Sequence, residues 1–274
     1  MNVKDLLTRG SRVLITGGAG SIGSELARQL SKKNKLYLLD INEMGLHRVM
    51  NELKVPGRVG DVRNRDTLRN VFDDFRPHKV FHAAAYKSVD MMEYVPQEAI
   101  DTNTQGTRNV LDYAKIYSAK KLVYISTDKV VNATSIMGES KKMGETMTLN
   151  DGFVAVRFGN VTGSRGSVTE IWAEQYKKGL PLTITHPDMV RFTMSPYEAV
   201  KLLVEASDKG RPGDLMIMDM GKPIKILEMK EILYGDYPYV FTGIRPGEQL
   251  EEKIMTVEEE TRAIKKGKFY VIPH

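Results

Sequence analysis

A short glycine-rich segment near the start of the chain restricts the possible folds more than any other feature of the sequence. Residues 16–23 read TGGAGSIG and stand between an apolar run, Arg12–Thr16, and a segment with apolar residues at helical spacing, Ser21–Lys33. The glycines at GxxGxxG spacing are Gly17, Gly20 and Gly23, and Gly18 gives a second match, to GxGxxG. Glycines at this point allow a tight turn and let the backbone approach a pyrophosphate at the start of a helix. The segment therefore predicts a dinucleotide-binding βαβ unit.

An acidic residue closes the next predicted strand, Lys35–Asp40. A carboxylate at this position accepts hydrogen bonds from ribose hydroxyls and repels a 2′-phosphate, so Asp40 favours NAD over NADP. Asp61 and Val62, after the third strand, are placed to meet the adenine. For Asp61 a plain turn aspartate is the alternative interpretation.

Strands alternate with helices along the first 160 residues, and this pattern is typical of a parallel sheet built from βαβ units. The predicted strands are 12–16, 35–40, 58–59, 79–83, 121–126 and 154–158. The predicted helices are 21–33, 42–53, 66–75, 96–117 and 137–149. We therefore expect an α/β fold of the Rossmann type, a doubly wound parallel sheet with a small C-terminal substrate lobe.

The domain division follows from the loss of this pattern after Asn160. Residues 1–160 are predicted to form the dinucleotide-binding core. Residues 161–274 are predicted to be mainly a substrate-binding lobe, interleaved with the core, to which about 194–220 returns.

Composition excludes several classes of protein. The sequence has no cysteine, which removes disulfides, thiolate metal sites and cysteine nucleophiles. The net charge of +5 comes from dispersed lysine and arginine rather than one dense stripe, so no nucleic-acid partner is expected. No apolar run approaches ~18 residues, and residues 1–10 do not resemble a secretory signal. We therefore expect a soluble cytoplasmic protein with no membrane insertion.

Seven further motifs carry a resemblance that spans about 11–254. They are HAAAYK at 82–87, TNTQGT at 102–107, STDK at 126–129, MGESK at 137–141, RFGNVTGSRGSV at 157–168, THPDMVRF at 185–192 and RPGE at 245–248. Together with the glycine segment, they resemble the extended short-chain dehydrogenase/reductases. The branch they resemble is the polysaccharide-biosynthesis dehydratases that act on UDP-N-acetylglucosamine. Many relatives carry a membrane-spanning region ahead of this unit, which we expect to be absent here, and Glu228–Thr242 looks shortened.

The resemblance implies a UDP-N-acetylglucosamine 4,6-dehydratase that uses NAD internally. Oxidation of the sugar at C4 acidifies the C5 proton, so water can leave from C5–C6 before hydride returns to C6. The family motif assigns Lys129 as the C5 base, Asp128 as the C6 acid and Thr127 as a hydrogen-bond partner of the C4 oxygen. Lys141 would hold the nicotinamide ribose.

Met137 occupies the position at which most members of the superfamily carry a tyrosine. A thioether cannot transfer a proton. The base for the C4 hydroxyl is therefore open, and Asp128 and a chain of waters are the alternatives.

The resemblance also implies binding residues. For the cofactor they are Gly17, Gly20, Ser21, Ile22, Gly23, Asp40, Asp61, Val62, Ala83, Ala84, Ala85, Lys87, Asn103 and Lys141. For the UDP-sugar they are Lys87, Asn160, Arg165, Val168, Thr183, Arg191, Arg245 and Glu248; arginine suits a diphosphate because its planar fork binds two oxygens. No metal site is predicted, since His186 has no partners at metal-ligand spacing.

Several alternatives remain open at this level. A nucleotide-sugar 4-epimerase or reductase uses the same fold, and a non-catalytic NAD-binding module is supported only by Met137. Retention at C5 rests on family analogy alone. By the same analogy we expect a homo-oligomer, a dimer or larger, formed through the helices at 96–117 and 137–149.

Overall fold

A nine-stranded sheet forms the centre of the computed structural model, which describes residues 10–273. The strands of the chain are β1 Arg12–Thr16, β2 Lys35–Asp40, β3 Gly57–Val59, β4 Lys79–His82, β5 Lys121–Ile125, β6 Val154–Arg157, β7 Asn160–Val161, β8 Leu182–Ile184, β9 Val190–Arg191, β10 Thr193–Met194, β11 Leu215–Met218, β12 Ile224–Lys225, β13 Tyr239–Phe241, β14 Ile264–Lys266 and β15 Phe269–Ile272. The order across the central sheet is β14-β15-β11-β6-β5-β4-β1-β2-β3. All neighbours pair in parallel except β11 with β15 and β14 with β15, which are antiparallel.

Helices cover both faces of this sheet. They are α1 Ser21–Leu30, α2 Glu43–Leu53, α3 Arg65–Phe75, α4 Val89–Tyr94, α5 Pro96–Ala99, α6 Thr107–Ile116, α7 Ile136–Asn150, α8 Val168–Lys177, α9 Pro196–Lys209, α10 Ile226–Tyr234 and α11 Val257–Arg262. One core cluster joins α1, α2 and α9 to one face, and a second joins α3 and α6 to the other. The order of the strands reverses between β1 and β4: β2 and β3 are added on one side of β1, and β4, β5 and β6 on the other. Open α/β sheets bind ligands at this point. The predicted doubly wound Rossmann-type fold is confirmed.

The helix predicted over 96–117 is divided in the structure. It consists of α5, a π-helical turn at Ile100–Gly106, and α6. Asn103 lies buried in the π turn, where its amide pairs with both the N–H and the carbonyl of Tyr86 at 2.8 and 3.0 Å. The wider turn directs this side chain inward, and π turns of this kind occur often at functional sites. The sequence pattern also missed α4, and it extended α1 three residues beyond Leu30.

A small lobe sits beyond β6. Its own core contains Trp172, Leu182, Ile184, Met189, Ile226 and Met229. Three two-stranded pairs, β7 with β10, β9 with β12 and β8 with β13, complete it. Helix α9 and strand β11 lie on the central sheet, as do β14 and β15, a segment that the sequence analysis assigned to the lobe.

A buried ion cluster connects β6, α7 and the C-terminal segment. Arg157 is fully buried and contacts Glu145 at 2.7 Å and Glu259 at 2.6 Å. It also donates a hydrogen bond to the carbonyl of Ile254 at 3.0 Å. Burial alone would raise the pKa of Glu145, but the charge and hydrogen bonds of Arg157 outweigh burial and lower that pKa.

Within residues 10–273, no helix has the length and apolar character needed to cross a membrane. Residues 1–9, over most of which the secretory-signal prediction was made, and His274 lie outside the described part of the chain.

Arg157→Ala should lower the free energy of unfolding by about 3–5 kcal/mol, because it leaves Glu145 buried without its cation. Denaturant unfolding of the whole chain measures this. Arg262→Ala, at an exposed arginine of α11, should stay within about 0.5 kcal/mol of the parent. Equal effects of the two changes would contradict a stabilising role for the cluster.

Candidate functional site

A cleft of about 830 Å³ runs along the carboxyl ends of the parallel strands and under the lobe. It brings together nearly all the residues predicted for the site. Those that line it are Gly17, Gly20, Ser21, Ile22, Gly23, Asp40, Asp61, Val62, Ala83, Ala84, Ala85, Lys87, Thr127, Lys129, Met137, Lys141, Asn160, Arg165, Val168, Thr183, Arg191, Arg245 and Glu248. Two predicted residues, Asn103 and Asp128, do not line the cleft, and both are fully buried.

The glycine segment forms a close-packed turn between β1 and α1. Gly17 has φ of +71°, and a Cβ there would lie 2.6 Å from the backbone nitrogen of Ala84. A Cβ on Gly23 would lie 2.0 Å from the carbonyl oxygen of Gly17. Helix α1 has no acidic residue in its first turn, so its N–H groups and dipole face the cleft without a competing negative charge. The glycine segment and the start of α1 together form a cradle that fits the pyrophosphate of a dinucleotide.

Asp40 and Asp61 stand at the far end of the same cradle. Asp40 accepts hydrogen bonds from the N–H groups of Ala19 and Asn42, both at 2.8 Å, which fixes its carboxylate at the end of β2. Asp61 instead closes its own turn, because it accepts from the N–H and the guanidinium of Arg63. Both still line the cleft, but only Asp40 is held by the phosphate-loop backbone.

Arg165 lies against the glycine segment rather than deep in the lobe. Its backbone N–H donates to the hydroxyl of Ser21 at 2.9 Å, and its guanidinium donates to the carbonyl of Ala19 at 3.2 Å. The arginine predicted for the sugar nucleotide is therefore beside the cofactor cradle. Residues 21 and 165 are brought together by the fold, and no local pattern indicates this contact.

Shortly after β5, Thr127 caps a short 3-10 helix, Asp128–Val130, which carries Lys129. The ammonium of Lys129 donates to Asp128 at 2.9 Å and to the side-chain oxygen of Asn160 at 3.0 Å. The hydroxyl of Thr127 donates to the same oxygen of Asp128 at 3.0 Å. Thr127 and Lys129 reach the cleft surface. Asp128 has 0% of its surface exposed, so the predicted proton donor lies behind Lys129.

Helix α7 contributes Lys141 and Met137. The Lys141 ammonium donates to the carbonyl of Ile125 at 2.5 Å and lies 4.2 Å from the centre of the Tyr124 ring. Burial lowers the pKa of Lys141 to about 7, against the opposing charge of Glu145. Met137 is buried against Met92 and also lines the cleft, so no hydroxyl stands at its position.

Several positively charged side chains line the cleft. Lys87, Arg165 and Arg245 all line it, and Arg245 is exposed at the rim. Burial lowers the pKa of Lys87, with a partial opposing effect from Glu170. A cleft lined by several cations suits a ligand that carries several negative charges.

Arg191 is placed differently from the expectation of a phosphate ligand. Its guanidinium donates to three carbonyl oxygens, those of Val190 at 2.8 Å, Gln249 at 2.7 Å and Leu250 at 3.0 Å. Through these bonds, Arg191 holds the segment that follows the RPGE motif against β9.

Glu252 is a cleft residue that the sequence analysis missed. It is 5% exposed, lines the cleft, and lies 3.8 Å from the ammonium of Lys129. The only sequence signal for it was a further pair of acids, Glu251 and Glu252, shortly after the RPGE motif.

The chain resembles known proteins over almost its whole length. It matches the polysaccharide biosynthesis protein family over residues 13–274. It is 41% identical over 271 residues to the capsular polysaccharide biosynthesis protein CapD of Staphylococcus aureus, a match that covers 90% of this chain and 45% of CapD. It is 34% identical over 284 residues to a UDP-glucose 4-epimerase of Rickettsia bellii, a match that covers 95% of this chain and 82% of the epimerase.

Solved structures give the same picture of the fold. Pen from Bacillus thuringiensis superposes with a TM-score of 0.91 at 31% identity, covering 97% of this chain and 87% of Pen. The UDP-glucose 4-epimerase of Thermus thermophilus, in complex with NAD, superposes with a TM-score of 0.79 at 27% identity, covering 89% of this chain and 90% of the epimerase.

The sheet order, the glycine cradle and the Thr-Asp-Lys turn define an extended short-chain dehydrogenase/reductase. Within that class the chain belongs to the polysaccharide biosynthesis protein family. It spans about half the length of CapD and of the Bacillus subtilis protein EpsC, a probable polysaccharide biosynthesis protein.

The buried Lys141 should give the protein a distinctive pH dependence of stability. Its pKa falls from 10.5 in the unfolded chain to about 7 in the fold, so between these values the unfolded state binds the extra proton. The contribution of this site to the free energy of unfolding should therefore rise as pH increases from about 7 to 10.5. The free energy of unfolding of the parent minus that of Lys141→Met, measured by denaturant titration across this range, should increase.

Lys32→Met, at an exposed lysine after α1, controls for the loss of one surface charge. If the difference in free energy of unfolding between the parent and Lys141→Met does not change with pH, the ammonium of Lys141 is not destabilised by burial.

Proposed function

We propose that the chain is an NAD-dependent 4,6-dehydratase of UDP-N-acetylglucosamine. The observation that carries this proposal is the arrangement at the centre of the cleft. Lys129 faces the cleft from the end of β5, and the position of the usual tyrosine is taken by Met137. The site thus offers an amine for removal of a carbon-bound proton, and the position on α7 from which simple epimerases present a phenol carries a thioether.

NAD is the cofactor that the cradle supports best. Asp40, held by two backbone N–H groups, presents its carboxylate where the adenosine ribose would lie. When bound, NAD would accept hydride from C4 of the sugar and return it to C6. Lys141 would hold the nicotinamide ribose, since it lies beside Ile125 at the end of β5 and lines the cleft.

We assign the diphosphate of the substrate to cations that line the cleft. Lys87 and Arg245 are the cations placed for it, while Arg165 bridges toward the cofactor. Asn160 and Glu248 line the same region and supply hydrogen-bonding groups for uridine and sugar.

The chemical roles follow from exposure. Thr127 is placed to hydrogen-bond the C4 oxygen, and Lys129 to remove the C5 proton once C4 is a ketone. Asp128 is bonded to that ammonium, and its Oδ2 has no hydrogen-bond partner among residues 10–273 and lies below Gly159, a residue of the cleft; we assign it the proton for the C6 hydroxyl.

A nucleotide-sugar 4-epimerase is the second candidate function. The observation in its favour is the 34% identity to proteins described as UDP-glucose 4-epimerase. Against it stands the paired Asp128 and Lys129, since epimerisation at C4 needs no acid and base for chemistry at C5 and C6.

The activity is tested by incubating the protein with UDP-N-acetylglucosamine and NAD. Mass spectrometry of the product should find the loss of one water, and NMR of the product should identify a 4-keto-6-deoxy sugar with the C5 configuration of the substrate. A product of unchanged mass with an inverted C4 would identify the epimerase instead, and no conversion would contradict both.

Cofactor preference gives an independent prediction. NADP⁺ should bind at least roughly tenfold more weakly than NAD⁺, because like charges near 4 Å repel by about 1–4 kcal/mol. Calorimetric titration of protein freed of nucleotide measures both affinities. Asp40→Asn should reduce the ratio of NAD⁺ affinity to NADP⁺ affinity. Asp66→Asn, at an exposed aspartate of α3, should leave that ratio unchanged. Tighter binding of NADP⁺ by the parent would overturn the assignment.

A further inference from the structure

Strand β13 lies at the edge of the small lobe. It pairs in parallel with β8 on one side, and within residues 10–273 no strand pairs with its other side. Its three side chains, Tyr239, Val240 and Phe241, are 39%, 44% and 49% exposed. The free edge of a strand carries backbone N–H and C=O groups without partners, and it can accept a strand from another chain.

The hydrogen bonds to β8 show which backbone groups of β13 lie on this free edge. At one end of the pair, the N–H of Leu182 donates to the carbonyl of Pro238 at 2.9 Å. At the other end, the N–H of Thr242 donates to the carbonyl of Ile184 at 2.9 Å. Along a parallel pair, every second residue of a strand bonds the neighbouring strand. The N–H and C=O groups at the first and third positions of β13 therefore point away from β8.

The free edge carries no charge that would oppose pairing with an identical strand. Residues 237–244 read YPYVFTGI, and the nearest charged residues are Asp236 before this run and Arg245 after it. When two copies of the run are antiparallel, Asp236 of one copy lies at the same end as Arg245 of the other. The contact therefore brings opposite charges together and no like charges, which favours a second copy of this chain as the partner.

A strand suits this edge better than a lipid surface does. Hydrocarbon offers no partner for the outward N–H and C=O groups, and open sheet edges do not occur in contact with lipid tails. A second strand supplies a partner for each of these groups. It also enlarges the two-stranded pair of β8 and β13, and sheets of three or more strands are more stable than isolated pairs.

We propose that β13 of one copy of this chain pairs with β13 of a second copy in antiparallel orientation, about a two-fold axis at Val240. In this register Tyr239 of each copy lies opposite Phe241 of the other, and each such pair exchanges two hydrogen bonds through the outward groups. The rings of Tyr239 and Phe241, 5.5 Å apart within one copy, then form aromatic cross-strand pairs between copies. Val240 lies opposite its own counterpart, as an isologous contact requires.

The proposed contact adjoins one wall of the cleft. No residue of β13 lines the cleft, whereas Thr183 and Ile184 of β8 do. A second copy would therefore extend the small sheet that supports this wall. The contact does not depend on the dehydratase chemistry proposed above. It is also separate from the helices at 96–117 and 137–149, through which we expect a homo-oligomer by family analogy.

The absence of cysteine from the sequence makes one introduced thiol a specific probe of this contact. Opposed residues at a non-hydrogen-bonded antiparallel position have Cα atoms about 4.5 Å apart, within the range that a disulfide spans. Val240→Cys should therefore give a covalent dimer of the whole protein under mild oxidation. The rate should exceed that of the control Val59→Cys by roughly 10²-fold at micromolar protein, because paired thiols have a millimolar effective concentration. Val59 is a half-exposed valine of β3, at the edge of the central sheet.

A second cysteine variant tests the register. Phe241→Cys should not cross-link faster than the control, because in the proposed register position 241 of one copy faces Tyr239 of the other rather than its own counterpart. If Phe241→Cys is instead the variant that cross-links, the two-fold axis does not lie at Val240 and the proposed register is wrong.

Sedimentation velocity over a range of protein concentrations tests the contact without a covalent bond. Val240→Lys sets two ammonium groups opposite each other and should raise the dissociation constant of this contact at least roughly tenfold. Val59→Lys should sediment like the parent. Tyr239→Pro removes an outward N–H and leaves the bonds to β8 intact, so it should weaken association more than Tyr239→Val, which keeps that N–H. Circular dichroism and thermal unfolding at low concentration should match the parent for each variant, which checks the fold.

The remaining outcomes separate this contact from other partners. If Val240→Cys cross-links no faster than Val59→Cys and Val240→Lys sediments like the parent, the β13 contact is wrong, and any dimer that persists is formed by another surface. If the parent stays monomeric but binds phosphatidylcholine vesicles, and Val240→Lys loses that binding, lipid rather than a second copy covers the edge and the proposal is overturned. Dehydratase activity of the parent is measured separately, and its absence would contradict the proposed function while leaving this contact in place.

Discussion

The guanidinium of Arg157 joins β6 and α7 to the distant C-terminal segment. It stands at the end of β6, pairs with Glu145 of α7 and Glu259 of α11, and bonds the carbonyl of Ile254. Helix α7 carries Lys141, and Ile254 follows closely on Glu252. The two sides of the cleft therefore depend on one set of buried charges, which is stable only while every partner is present. This explains why an ion cluster with no access to the cleft matters for the geometry inside it.

Much of the fold and of the cofactor side of the site could be predicted from the sequence, because both depend on local patterns. Gly17 follows directly on β1, Gly20 immediately precedes α1 and Gly23 lies in its first turn, while Thr127, Asp128 and Lys129 are consecutive. In such segments the spacing of residue types determines the local backbone conformation. The identity of the residues therefore indicated the turn, the helix start and the sheet edge.

The remaining features depend on contacts that no local pattern encodes. Glu252 reaches Lys129 only because β9 and Arg191 hold the segment before it, and Arg165 meets Ser21 across the cleft. The burial of Asp128 is likewise a consequence of packing against Gly159, since motif matching gives a residue a role without giving it exposure. The π turn around Asn103 is a local deviation that helical periodicity does not detect.

The loop that carries Arg165 has a mechanical consequence. It is flanked by Gly163 and Gly166, with φ of +65° and +72° and with open space around them, so backbone conformation rather than crowding requires glycine at both positions. This loop belongs to the lobe, yet it is hydrogen-bonded to Ser21 and Ala19 of the phosphate turn. A rotation of the lobe that widens the sugar end of the cleft would therefore pull on the nucleotide end as well. In the proposed dehydratase, this loop would therefore couple opening of the sugar end to opening of the nucleotide end.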